Sequence, residues 1–133
     1  MGTDLLVKSS HIFIVPTAVG YWCNLPYYST ACLNLYLSSQ VYHRTRYPWA
    51  YVWDQAAIQL VWWTGVYYNT QLDLFYSSQY WFITLYLWFI YYYGYLKKSY
   101  CFGEKADEWH ATIHYTSTIG IVLTQIFSRN LQL

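Results

Sequence analysis

Between Ser9 and Tyr42 the chain carries no lysine, arginine, aspartate or glutamate. A stretch of that length without charge is hard to fold against water, because a soluble surface is built largely from those four residues. The whole chain holds only 7 Lys+Arg and 6 Asp+Glu, or 10% charged residues against about 25% in an ordinary soluble domain. Its 18 Tyr and 8 Trp keep the mean hydropathy down to +0.11. These same side chains suit the headgroup region of a membrane, where the ring meets apolar tails and the polar tip meets water. The composition predicts an all-α, polytopic membrane helix bundle in one domain over residues 1 to 133. A net charge of +1 with no basic block argues against nucleic-acid binding.

The uncharged run is too long for one span of roughly 20 residues, and Pro16, Gly20 and Pro26 interrupt it. It reads as two segments flanking GYWCNLP, about His11 to Cys23 and about Leu25 to His43. Three more follow, about Trp49 to Tyr68, Leu74 to Leu96 and Ala106 to Phe127, giving four to five transmembrane helices. A signal peptide is the rival reading of the first segment, since Lys8 precedes IFIVPTAV, but Pro16 breaks the run and no clear A-x-A site follows. Neither an N-glycosylation sequon nor a myristoylation motif occurs.

Alternation of the spans puts Lys8, Arg44, Arg46, Lys97, Lys98 and Lys105 on one side and Arg129 on the other. The positive-inside tendency turns the larger set towards the cytosol or its organellar equivalent. Cys32 lies within a segment, and Cys23 and Cys101 fall in turns on opposite sides, so free thiols are expected.

An ionisable group inside a span costs a few kcal/mol and normally faces the bundle interior with a partner. Asp54 is such a group, about 6 to 9 Å past the start of the third segment at 1.5 Å per residue. His43 ends the second segment on the same side, and WHATIH places His110 and His114 in the first turns of the fifth. Residues four apart share a helix face, so His110 and His114 can point at one ion while Ser39 lies one turn from His43. Three neutral imidazoles with an open position form a usual catalytic zinc shell, and a nearby carboxylate can orient or deprotonate water.

Taken singly, these features have plainer meanings. HATIH lacks the Glu of HExxH and fits interfacial or packing histidines. Asp54 can pair with Arg44 or Arg46, and Ser39 can be a helix-packing hydroxyl. His11, near a segment end and without an organised partner, reads as structural.

In chain order Ser39, His43, Asp54, His110 and His114 spell S-x3-H-x10-D, a gap, then H-x3-H. The ordered set resembles the CREST superfamily of membrane hydrolases and receptors, which comprises alkaline ceramidases, post-GPI-attachment lipid-remodelling proteins, and progestin and adipoQ receptors. SSQVYHRTR and DEWHATIHYTSTIG look most like the GPI-remodelling branch. The resemblance covers the second and third segments and the start of the fifth. It implies Zn2+ held by His43, His110 and His114, with Asp54 beside the attacking water and Ser39 placed to polarise a carbonyl. The implied reaction is hydrolysis of a lipid amide or ester in a multi-pass protein, with an ER/Golgi-type endomembrane as the expected location.

Members of that family have seven helices, and this chain has room for five at most. A chamber with fewer walls is open to lipid, or is completed by a second copy or a partner subunit. Two other classes stand beside the hydrolase. One is a non-catalytic membrane subunit or receptor-like bundle that keeps the zinc. The other is a b-type cytochrome anchor, because SSQVYHRTR faintly resembles the Ser/His/Arg run of succinate dehydrogenase membrane subunits and paired histidines can ligate haem.

Overall fold

The computed structural model describes residues 4 to 131, and among them the secondary structure is entirely helical. The elements are α1 (Asp4–Ser10), a 3-10 turn (His11–Phe13), α2 (Ile14–Trp22), α3 (Pro26–Thr45) and α4 (Pro48–Asn69). After these come α5 (Leu74–Trp88), a π turn (Phe89–Tyr93), α6 (Gly94–Lys97), a 3-10 turn (Tyr100–Phe102) and α7 (Ala106–Ser128). Joined through their turns, α1 with α2 and α5 with α6 each make one rod. The architecture is therefore an all-helical bundle of five rods.

Local chemistry explains the breaks. Pro26 and Pro48 open α3 and α4 at the first helical position, where the missing N–H is no loss. Asn24 adopts a left-handed φ of 59° after α2, and Leu25 N–H reaches back to Gly20 C=O at 2.8 Å, a Schellman-type end. Arg46, at φ 57°, stops α3, and Tyr47 is extended as the residue before a proline prefers. The same left-handed device ends α6 at Lys98, with Ser99 N–H on Gly94 C=O at 2.9 Å.

The core runs along α3. Phe13, Tyr28, Cys32 and Leu35 pack with Ala57 and Val61 of α4 and Ile121 of α7. Tyr28 stacks on Tyr68 at 5.4 Å between ring centroids. Two glycines permit close crossings. A Cβ at Gly65 would fall 2.5 Å from the Tyr80 hydroxyl, and one at Gly20 would fall 2.7 Å from Gln125 Nε2.

Two sequence expectations need adjusting. The first rod begins at Asp4 rather than near His11, because DLLVKSS is itself helical and buries Leu6, Ser9 and Ser10. Among the described residues, no helix is both long and apolar enough to cross a membrane. Length is not the obstacle for α3, α4 and α7, whose 20, 22 and 23 residues reach about 30 Å or more. Their Tyr, Trp, Ser, Thr and Gln residues hold the hydropathy down. The expected five segments are thus present as helical rods, but not as apolar spans.

Candidate metal centre

The site lies at one end of the bundle, where the last turn of α3 meets the first turns of α7 and the end of α1. His43 is 1% exposed, His114 is 3% exposed and His110 is partly buried. One ring nitrogen from each lies within 4.8 Å of the others. The ring centroids are 5.2 Å apart for His43 with His110, 5.2 Å for His43 with His114 and 4.9 Å for His110 with His114. The i, i+4 spacing on α7 sets the last pair, and the antiparallel approach of α3 adds the third ring.

His43 is the telling member. Both of its ring nitrogens are buried and neither has a hydrogen-bond partner. A buried polar atom left alone costs about 1 to 3 kcal/mol, and native folds rarely leave both nitrogens of one imidazole unmet. A metal ion would meet that need, and three imidazole nitrogens are a donor set suited to zinc and other first-row cations. Their spread of up to 4.8 Å is somewhat wider than the about 3.4 Å that tetrahedral bonds of about 2.0 to 2.1 Å would set.

Asp54 belongs to a second, adjoining group. It is 3% exposed and accepts a hydrogen bond from Ser38 Oγ at 3.1 Å. Ser38 precedes His43 by five residues, so this contact ties Asp54 to a point more than one helical turn, about 7 Å, before His43 along α3. The plainer reading of Asp54 as an arginine partner is not what is observed. Arg44 donates from Nε and Nη2 to Gln40 Oε1 at 3.2 and 3.1 Å, and the Arg46 guanidinium lies over the Tyr42 ring at 5.0 Å.

The structure therefore brings His43, His110 and His114 together, and sets Asp54 and Ser39 a turn or more away with Ser38 between α3 and α4. Ser38 escaped the sequence reading because Ser39, not Ser38, shares a helix face with His43. Ser9 escaped it too. Its Oγ lies 2.7 Å from His114 Nδ1, across 105 residues of chain. Its neighbour Ser10 accepts from Gln40 Nε2 at 2.7 Å, which docks α1 against α3. The only signal was a pair of serines at the edge of the uncharged run.

His11 lies outside the cluster, with Nδ1 3.1 Å from the Tyr36 hydroxyl. All three cysteines are free. Burial pushes the Cys101 thiol, in the link before α7, up to about 11, so it stays protonated and is a poor nucleophile. Comparison with known proteins finds no matching family model, no matching curated protein and no matching solved structure, so the functional reading rests on the site itself.

Proposed function

We propose that this chain is a membrane-embedded, zinc-dependent hydrolase that cleaves a lipid amide or ester, of the ceramidase-like or GPI-lipid-remodelling-like kind. The observation that carries the reading is His43, buried with both nitrogens unpartnered and flanked by two more imidazoles. When bound, zinc supplies a Lewis acid and draws the pKa of water towards about 7. His43, His110 and His114 would hold the ion. Asp54 takes a proton from the attacking water and returns it to the leaving group, while the Ser38 hydroxyl on Oδ1 keeps the carboxylate oriented. Ser39 stands on the same face of α3 as His43, where its hydroxyl can polarise the scissile carbonyl. The ordered motif similar to the CREST superfamily supports this assignment of roles.

A membrane setting is supported by the outer face of the bundle. Leu74, Phe75, Phe82 and Leu96 are each more than two-thirds exposed, and Tyr21, Trp22, Tyr27 and Trp63 are exposed as well. So many large apolar side chains on the outside suit lipid and a headgroup belt better than water. Six of the seven Lys+Arg fall at the imidazole end, which turns the site to the cytosolic face or its equivalent in an ER/Golgi-type membrane. The substrate would then arrive from the bilayer.

A non-catalytic bundle or subunit that keeps the metal is the second reading, and the depth of Asp54 is the observation that favours it. A b-type haem fits less well. Its two axial imidazoles stand on opposite faces of a flat macrocycle, whereas these three rings crowd edge-on around one point.

Elemental analysis and a visible spectrum of one detergent-purified sample test the proposal. About one zinc per chain, no haem absorption, and chelator-sensitive release of fatty acid from ceramide or acyl-ester lipid are expected. Zinc without release selects the non-catalytic bundle, and a protein without metal ends the reading.

A further inference from the structure

Ser9 has one proton and two lone pairs, and its surroundings decide how they are used. Its hydroxyl is fully buried and donates to Leu6 C=O at 3.3 Å within α1. The same oxygen lies 2.7 Å from His114 Nδ1. The 2.7 Å contact has two polarities, and the one in which the Ser9 proton goes to Leu6 C=O lets Oγ accept from His114 Nδ1–H. A neutral imidazole protonated at Nδ1 has its lone pair on Nε2, the nitrogen that remains for the cluster with His43 and His110.

We propose that Ser9 is a positioning residue of the metal centre. It fixes the tautomer and ring angle of His114 and so presents Nε2 to the ion. The inference deepens the metal-site reading above and rests on it for its purpose, though not for its geometry. Two neighbours make the contact rigid. Ser10 Oγ donates to Val7 C=O at 2.9 Å and accepts from Gln40 Nε2, which also reaches Val7 C=O at 3.0 Å. Phe13 stands edge-on to the His114 ring at 5.2 Å. The end of α1 is held against the two helices, α3 and α7, that carry the three imidazoles. Partners that orient a ligating histidine are worth 10- to 100-fold in metal affinity in comparable sites, by order of magnitude.

Two measurements on the full chain test this. In metal-free protein labelled with nitrogen-15 at histidine, the ring shifts of His114 should report a hydrogen on Nδ1, and Ser9→Ala should remove that preference. A His114 carrying its hydrogen on Nε2 in unaltered protein overturns the proposal. In a cobalt titration followed by its visible bands, Ser9→Ala should bind about 10- to 100-fold more weakly than the parent, while Ser9→Thr, which keeps the hydroxyl, should recover most of the loss. Equal cobalt affinity in parent and Ser9→Ala also overturns it, and the tautomer of the parent decides the matter should Ser9→Ala not fold. If the parent binds no cobalt or zinc, the proposed function fails, while the tautomer result still judges Ser9.

Discussion

Both ends of the bundle bury polar side chains, but they dispose of them differently. At the end away from the histidines, Asn69 Nδ2 donates to Gly65 C=O at 2.8 Å and to Thr124 Oγ1 at 2.9 Å, and Gln125 Nε2 donates to Pro16 C=O at 2.8 Å. Gln79 Nε2 reaches the same Thr124 hydroxyl at 3.4 Å. Each amide is anchored through its NH2 group, two of the three directly on a main-chain carbonyl, while the side-chain oxygens of Asn69, Gln79 and Gln125 have no partner. The amides act as bolts between helices. At the histidine end the rings face one another, and His43 is anchored by no hydrogen bond. The difference is one of arrangement: every amide keeps at least one hydrogen bond and its free oxygen stands apart, whereas both His43 nitrogens are free and lie among two further imidazoles.

The largest expected effect breaks the histidine end alone. His43→Ala should lose bound metal and hydrolysis together, from about one ion per chain to none, because two imidazoles rarely suffice for a zinc shell. Gln125→Leu, at the other end, should keep full metal stoichiometry in whatever protein folds. Metal analysis of the two variants side by side would erase the contrast if both lost the ion equally.

Asp54→Asn comes next. The amide fills the same space and can accept from Ser38 but cannot take a proton, so hydrolysis should fall about 10²- to 10⁴-fold with the metal retained. Unchanged turnover in purified Asp54→Asn protein would remove the base from the proposal. Gly20→Ala sharpens the view of the amide end, since its Cβ would meet Gln125 Nε2 at 2.7 Å and the Ser29 backbone at 3.1 Å. A stability loss of about 1 to 3 kcal/mol, read by denaturant unfolding in detergent, should leave metal affinity of the folded fraction unaltered. Thr124→Val should cost least, about 1 kcal/mol, because Asn69 keeps its bond to Gly65 C=O when the shared hydroxyl goes. A Thr124→Val variant that lost metal would show the two ends to be coupled.

The parts of this arrangement that could be read from the chain depend on short-range geometry. His110 and His114 share a face by helical spacing alone, and the alternation of segments brings His43 to the same depth. Pro26, Pro48 and the Asn24 turn mark rod boundaries for reasons local to those residues. What escaped reading depends on rotation or on distance along the chain. Ser38 and Ser39 differ by about 100° around the helix, and only the approach of α4 puts Ser38 on Asp54. Ser9 could not be linked to His114 from spacing, and the first segment was expected to start after it. The hydropathy of α3, α4 and α7 is the other shortfall, because aromatic and hydroxyl residues that pack well inside a helical bundle score as polar.

The connection between α3 and α4 is only Arg46 and Tyr47 long, so these two rods can pair almost as soon as both exist. The contacts that complete the histidine cluster come much later in synthesis. Ser9 must find His114 across 105 residues, and Pro16 must find Gln125 across 109. Closing such long loops is slow relative to forming a hairpin, and here it waits for the final rod. His43 thus enters its hairpin early and stands alone until α7 arrives. A chain halted before residue 110 holds one imidazole of the three, so the cluster is complete only once the last rod has docked.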